Sequence, residues 1–341
     1  MARNYFITGG AGFIGANYVN RLLERGEKVT IYDNLSRAGS RRNLTWLQDK
    51  FGQDGFQLVI GDVRDASLVR NSCQSADIIL HLAAQVAVTT SVVDPREDFE
   101  VNAGGTFNLL EAARLNGCSP VFLYASTNKV YGGMENVRVV EDATRWRYAD
   151  LPQGCPETQP LDFHSPYGCS KGAGDQYVRD YARIYNLPTV VLRQSCIYGP
   201  RQFGVEDQGW LAWMIIAAVT GRQLTIYGDG KQIRDVLHVD DLLDAYDNVI
   251  ARIGEVKGSI YNLGGGPENT LSVWTEFGPL LEGLLGKSIP VARRDWRPGD
   301  QKVFVADIRK AAAELGWKPK VGVREGVGKL FQWVMENKEC F

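Results

Sequence analysis

The first half of the chain alternates short apolar runs with amphipathic stretches. Tyr5-Phe6-Ile7, Val29-Thr30-Ile31-Tyr32, Leu58-Val59-Ile60, Ile78-Ile79-Leu80 and Val121-Phe122-Leu123-Tyr124 are rich in β-branched or aromatic residues and bounded by turn formers. That pattern predicts buried strands. Between them, apolar residues recur at helical spacing from Ile14 to Leu23 and from Phe99 to Leu115. A helical stretch over 167–186 then leads into a sixth strand, Thr189-Val190-Val191-Leu192. Strands that are apolar throughout are covered on both faces, which implies a parallel sheet with crossover helices and an α/β, doubly wound architecture.

The rhythm breaks over 133–163, where Gly, Pro and charged residues predict a long connection near the carboxyl edge of the sheet. Beyond Gly199-Pro200 the spacing is irregular, with helical stretches near 208–220, 239–252, 271–285, 307–315 and 323–336. Residues 1–199 are therefore expected to form mainly one domain. Residues 200–341 are expected to form mainly a smaller α/β lobe, with some segments returning to the main sheet.

The 341 residues carry 38 Lys+Arg against 40 Asp+Glu, a formal charge of −2, so no polybasic surface for nucleic acid or membrane is indicated. No apolar run reaches the ~20 residues a spanning helix needs. The N-terminus has too short an apolar stretch for a secretory signal, so a cytoplasmic protein is expected. Six widely spaced cysteines without a C-x-x-C pair read as reduced thiols. Three histidines, none at metal-ligand spacing, predict no metal site.

The first predicted strand runs into Thr8-Gly9-Gly10-Ala11-Gly12-Phe13-Ile14-Gly15, a G-x-x-G-x-x-G spacing that opens a helix. Gly9 permits a tight turn, Gly12 lets backbone approach a pyrophosphate, and Gly15 allows close packing of helix on strand. The helix amino end offers free N–H groups to the anion. Asp33, closing the second strand, is placed to accept from a ribose diol and to repel a 2′-phosphate, which favours NAD in a Rossmann-type domain; Arg37 nearby pulls slightly the other way. Asp62 is placed either to meet an adenine amino group or to cap a helix over 65–74.

Tyr167 and Lys171 share one face of a helix at i,i+4 spacing, and Ala125-Ser126-Thr127 follows the fifth strand, where a hydroxyl can face the same cleft. An ammonium and an oxidised nicotinamide would bring a phenol of ordinary pKa near 10 toward working pH. Tyr167 would then take a proton from a secondary alcohol as hydride leaves the same carbon. Thr127 would orient that alcohol, and Lys171 would also hold ribose hydroxyls.

These motifs together resemble the extended short-chain dehydrogenase/reductase family of nucleotide-sugar epimerases and dehydratases. The resemblance runs over nearly the whole chain. It includes the glycine turn, Asp33-Asn34-Leu35-Ser36, Gly61-Asp62-Val63, His81-Leu82-Ala83-Ala84-Gln85, Asn102-Ala103-Gly104-Gly105-Thr106, Ser126 to Gly132, Tyr167 with Lys171, and Tyr198-Gly199-Pro200-Arg201. It implies NAD lined by Phe13, Ile14, Asp33, Asn34, Leu35, Ser36, Arg37, Asp62, Val63, Leu82, Ala83, Ala84, Gln85, Asn102, Ser126 and Ser195. It also implies a nucleotide-sugar substrate met by Thr127, Asn128, Cys196, Arg201, Arg234, Arg297 and Asp300, with Thr225 and Tyr227 flanking the base. A guanidinium suits phosphate oxygens through its forked donors. A homo-oligomer built on helices over 94–116 and 167–186 is the family's habit.

Dehydratases of the family place Asp-Glu after the active Thr, whereas this chain has Asn128-Lys129, which disfavours expulsion of water. Many relatives carry Asn where Cys196 stands, which puts the usual C4-epimerase sugar contacts in doubt. Asp33 to Arg37, Ser126 to Gly132, Leu161 to Lys171 and Asp207-Gln208-Gly209-Trp210 are most similar to the branch of CDP-hexose 2-epimerases. Epimerisation at C4 of a UDP-hexose, a net dehydrogenase or reductase, and a non-catalytic NAD-sensing protein are the alternatives.

Overall fold

The computed structural model describes residues 2–297 and 300–341. Strands are β1 Asn4–Thr8, β2 Lys28–Asp33, β3 Gln57–Ile60, β4 Ile78–His81, β5 Val121–Thr127, β6 Val139–Glu141, β7 Trp146–Tyr148, β8 Thr189–Gln194, β9 Cys196–Tyr198, β10 Leu224–Tyr227, β11 Ile233–His238, β12 Ile260–Leu263, β13 Thr270–Ser272, β14 Val291–Arg294 and β15 Val303–Phe304. Helices are α1 Phe13–Glu24, α2 Ser40–Phe51, α3 Ala66–Ser72, α4 Val88–Val93, α5 Pro95–Phe99, α6 Gly105–Leu115, α7 Ser165–Tyr185, α8 Trp210–Thr220, α9 Val239–Ala251, α10 Ile253–Val256, α11 Phe277–Leu285, α12 Arg309–Leu315 and α13 Val323–Glu336. A wider π-helical turn, Glu100–Gly104, joins α5 to α6. Among the described residues no helix is long and apolar enough to cross a membrane.

Two compact units divide the chain. The first comprises Met1–Val130, Ser165–Arg193 and Tyr246–Tyr261. Its sheet has the order β12-β8-β5-β4-β1-β2-β3, with parallel pairing from β5 through β4, β1 and β2 to β3. The strand order reverses between β1 and β4, the switch point where open α/β sheets bind ligands beyond their carboxyl ends. Central β4 and β8 are buried along their whole length, as continuous apolar runs require, whereas edge strand β3 leaves Ile60 exposed. Phe6, Tyr32, Ile79, Leu109, Phe122, Tyr124 and Val178 form the core on one side of this sheet.

Helix α7 buries Tyr167, Lys171, Gly174, Val178 and Tyr181, the i, i+4, i+7 stripe of a packed helix. Gly174 lets the helix approach β5, because a Cβ there would collide with the Tyr124 hydroxyl. Asp175, one turn beyond Lys171, forms a buried ion pair with Arg193 at the end of β8. The contacts are 2.9 Å from Arg193 Nε to Oδ2 and 2.9 Å from Nη2 to Oδ1, and Ser126 Oγ donates to Oδ2 at 2.7 Å.

The second unit comprises Tyr131–His164, Gln194–Ala245 and Asn262–Phe341. It contains a sheet of order β13-β11-β15, with β9 also on β11, and the pairs β10-β14 and β6-β7. Helix α8 is buried nearly all round, as its uniformly apolar sequence requires, and is bounded by left-handed Gly209 and Gly221. Leu211, Ile215, Ile226, Phe277, Leu330 and Trp333 build its core.

Several details differ from the sequence pattern. The unit boundary falls after Arg193, not at 199/200, and residues 131–164 belong to the second unit, where they form the β6-β7 hairpin. Residues 246–261 belong to the first unit, a return of the kind expected for part of 200–341. The stretch read as one helix from Phe99 is three pieces, α5, the π-helical turn and α6; 271–285 is a strand end followed by α11. Helix α2 is polar overall and buries Ser40, Asn43, Leu44 and Leu47, so it offers few apolar residues to mark it in the sequence.

Removing one partner of a buried ion pair leaves an uncompensated charge. Asp175→Ala should therefore cost about 3–5 kcal/mol, read as a lowered urea midpoint, and the paired change Asp175→Leu with Arg193→Met should recover most of that loss.

Candidate active site

The glycine turn is built as its chemistry requires. Gly9 has φ +68°, the left-handed region, and its carbonyl accepts from Gly12 N at 3.0 Å. Gly12 then starts α1 with no side chain capping the helix, and no acidic residue stands in its first turn. A Cβ on Gly15 would collide with the Gly9 carbonyl and Gly10, so this glycine packs on the turn itself and not on the strand. Asp33 is buried and accepts from Ala11 N at 3.0 Å and Leu35 N at 2.8 Å, while burial raises its carboxyl above the usual range. Asn34 gathers Ser36, whose Oγ donates to Asn34 Oδ1 at 2.7 Å.

Asp62 does not cap the following helix. Asp65 does, accepting from Leu68 N at 2.9 Å. Asp62 instead accepts from Arg64 Nε at 2.9 Å, Arg64 Nη2 at 2.7 Å and Asn34 Nδ2 at 3.3 Å, and Arg64 holds its carboxyl below the ordinary value. Val63 packs against Gly105, where a Cβ would collide with it.

After β4, Leu82 N and Ala83 N each donate to Thr8 Oγ1 at 3.2 Å. His81 lies between Thr8 Oγ1, 2.7 Å from Nδ1, and Thr106 Oγ1, 3.1 Å from Nε2; burial pushes its pKa well down, so the ring is neutral. Asn102 fixes Gln85 reciprocally, accepting from Gln85 N at 2.9 Å and donating to Gln85 O at 3.0 Å. Gln85 folds onto Ala87, and Ala84 lies between the anchored peptides of Ala83 and Gln85.

The start of α7 is set by two serines. Ser165, at φ +72°, accepts from Gly168 N at 3.2 Å, and Ser91 of α4 accepts from Tyr167 N at 3.2 Å. Thr127, buried at the end of β5, acts on Tyr167 through its hydroxyl. Lys171 Nζ donates to Ala125 O at 2.6 Å and lies 4.3 Å over the Tyr124 ring. Thr127, Tyr167 and Lys171 thus converge within the first unit.

Their electrostatics depart from the simple expectation. Burial pushes the Tyr167 phenol up to about 12; the Thr127 hydroxyl lowers it, Asp98 raises it, and the cation that lowers it is Arg37, not Lys171. Burial also brings the Lys171 ammonium down to about 7, against the pull of Asp175 and Asp98. In the chain alone, enclosure outweighs the charge pairing read from the sequence.

Ser126 and Ser195, expected at the cofactor, both give their hydroxyls to buried carboxylates: Ser126 to Asp175 and Ser195 to Asp235 in the second unit. Within that unit Arg234 Nη2 lies 3.5 Å from Asp300 Oδ1. The Arg297 guanidinium lies 4.3 Å over the Tyr227 ring and 3.2 Å from Asp207 Oδ1. Pro298 and Gly299 of that motif lie outside the described residues. Thr225 and Tyr227 share one face of β10, Cys196 sits on β9 opposite Val236, and Arg201 has φ +71°. Asn128 is buried beside Thr127, whose Oγ1 donates to Asn128 Oδ1 at 3.3 Å.

Sequence reasoning missed Ser91, Asp98, Ser170, Asp175 and Arg193. Asp175 left a legible trace, since it continues the stripe of Tyr167 and Lys171 on a face otherwise packed against the sheet.

A glycine turn between β1 and α1 and a converging Thr–Tyr–Lys trio define an extended short-chain dehydrogenase/reductase. The family model described as GDP-mannose 4,6 dehydratase matches residues 6–330, and the chain belongs to this family of NAD-dependent epimerases and dehydratases. It is 44% identical to CDP-paratose 2-epimerase of Salmonella typhi over 334 residues, 96% of this chain and 98% of that one. Among solved structures it resembles UDP-glucose 4-epimerase of Thermotoga maritima with UDP-glucose (TM-score 0.84, 30% identity, 98% of this chain and 99% of that one). It also resembles the dTDP-glucose 4,6-dehydratase DesIV of Streptomyces venezuelae with NAD and TYD bound (TM-score 0.83, 30% identity, 98% of each chain).

Because Lys171 releases its proton near 7 in the folded chain but near 10.5 when exposed, the unfolded state binds more protons across that interval. The stability of the ligand-free protein relative to Lys171→Met should therefore rise from about pH 7 to pH 10.5, a trend that urea unfolding at several pH values will read.

Proposed function

We propose that this protein is an NAD-dependent nucleotide-sugar epimerase that inverts C2 of a CDP-hexose, of the CDP-paratose to CDP-tyvelose type, through a transient 2-keto sugar. The observation that carries this reading is the Thr127–Tyr167 hydroxyl pair followed by an amide and an ammonium, Asn128 and Lys129, in place of carboxyl groups. Redox at a carbinol carbon needs the first pair; elimination of water needs an acid and a base that are missing here. The 44% identity to CDP-paratose 2-epimerase directs the reaction to C2 and to a cytidine nucleotide.

The residues present fit NAD. The uncapped amino end of α1, with Gly12, Phe13 and Ile14, suits a diphosphate; Asp33 suits ribose hydroxyls; Asp62 and Val63 suit the adenine edge. Asn34 to Arg37, Leu82 to Gln85 and Lys171 complete the site. When bound, NAD supplies the acceptor, and later the donor, of the C2 hydride. Tyr167 Oη takes the C2 hydroxyl proton and returns it, while Thr127 orients the oxygen and donates to it. Arg37 and the Thr127 hydroxyl favour the phenolate against the cost of burial.

The second unit is the nucleotide-sugar lobe in this reading. Arg234 and Arg297 bind diphosphate, Asp300 binds ribose, and Thr225 with Tyr227 flanks the base; Asn128, Cys196 and Arg201 meet the sugar side. The fold's likeness to a UDP-glucose 4-epimerase favours C4 as the second reading. The enzyme works in the cytoplasm, in keeping with six widely spaced cysteines and no C-x-x-C motif in the sequence. It works as a homo-oligomer, for which exposed Phe99, Phe107, Tyr177 and Ile184 on α5 to α7 provide an apolar face.

Tyr167→Phe should lower kcat by about 10²–10⁴ while NAD stays bound, as mass spectrometry of released ligands will show. Deuterium at C2 of the CDP-hexose should appear in product without loss to water; an isotope effect confined to C4 would establish the second reading instead.

A further inference from the structure

Asp98 has no part in the assignments above, yet it is fully buried on α5. Its hydrogen-bond partners are neutral: Ser170 Oγ donates to Oδ2 at 2.5 Å and Asn102 Nδ2 to Oδ1 at 3.0 Å. A carboxylate enclosed this way is costly without a cation. Lys171, buried on α7 directly after the Ser170 that bonds Asp98, is the cation that acts on it. Asp175, the other carboxylate that acts on Lys171, is already neutralised by Arg193. Other described neighbours of Lys171 are the Tyr124 ring and Ala125 carbonyl from β5 and neutral His81 from β4. Tyr167 is acted on by Thr127, Arg37 and Asp98 itself.

We propose that Asp98 is a positioning residue for the reaction assigned above, supplying the counter-charge that keeps Lys171 an ammonium and, through Ser170 and Asn102, tying that charge to the Gln85 turn. The kinetic half of this inference rests on the catalytic assignment of Tyr167 and Lys171. Its thermodynamic half does not.

The negative charge of Asp98 raises the proton affinity of both Lys171 and Tyr167. Tyr167 acts as phenolate and Lys171 as ammonium, so they govern the acid and alkaline limbs of kcat/KM. In the NAD-loaded enzyme, Asp98→Asn should move both limbs to lower pH by about one unit. Ser170→Ala, which removes a hydrogen bond but keeps the charge, should lower kcat/KM with the limbs in place. Unmoved limbs in folded Asp98→Asn, or an equal displacement in Ser170→Ala, would overturn the proposal.

A urea-unfolding cycle needs no turnover. Asp98→Asn should lower the midpoint in the wild-type background and leave it level or raise it in Lys171→Met, where the buried carboxylate has lost its cation. Equal losses in both backgrounds would overturn the coupling. Failure of the catalytic reading would look different, as turnover surviving in Tyr167→Phe with the cycle intact.

Discussion

A charged amine enclosed by protein must be held there by surrounding groups, and much of the first unit is arranged to hold Lys171. The strand end of β5 offers it a carbonyl and an aromatic face, and carboxylates stand on α5 and one turn along α7. Each carboxylate brings further obligations. Asp175 requires Arg193 and Ser126; Asp98 requires Ser170 and Asn102. Asn102 in turn fixes Gln85. A single buried cation thus accounts for polar residues on several elements that an apolar core would not otherwise contain, and it explains why α7 carries a polar stripe along its packed face.

The same enclosure sets the chemistry. Tyr167 is pushed up and Lys171 down by one cause, loss of water, so the pair is drawn toward its uncharged forms until charges are added. The sequence gives residue types at i,i+4 spacing and so suggests an ammonium acting on a phenol. The folded chain shows the ammonium turned toward Ala125 and Tyr124, with Arg37 acting on the phenol. Burial depends on the whole tertiary structure, and no local pattern reports it.

What was legible follows from the same distinction. The parallel sheet could be read because continuous apolar runs have few alternatives, and the glycine turn because Gly9 needs a left-handed φ and Gly15 has no room for a Cβ. Asp33 and the Thr–Tyr–Lys trio could be placed by their positions after strands and on one helix face. Asp98 was hidden because α5 and the π-helical turn blend into an apparently uniform helix. The β6-β7 hairpin was hidden because its strands are three residues long and its turn is held by a distant residue, Glu276, through Arg145. Asp62 had two local roles of equal merit; Asp65 takes the helix cap, and Arg64 forks onto both Asp62 oxygens.

Gly174 gives this design a lever. With no side chain between α7 and the Tyr124 hydroxyl, the helix rests directly on the strand whose far end bears Thr127. Any larger residue there would wedge the helix outward, and the displacement would be transmitted along its axis to the phenol at its first turn. A shift of the Tyr167 phenol can therefore originate two helical turns away, in a residue that bears no side chain at all.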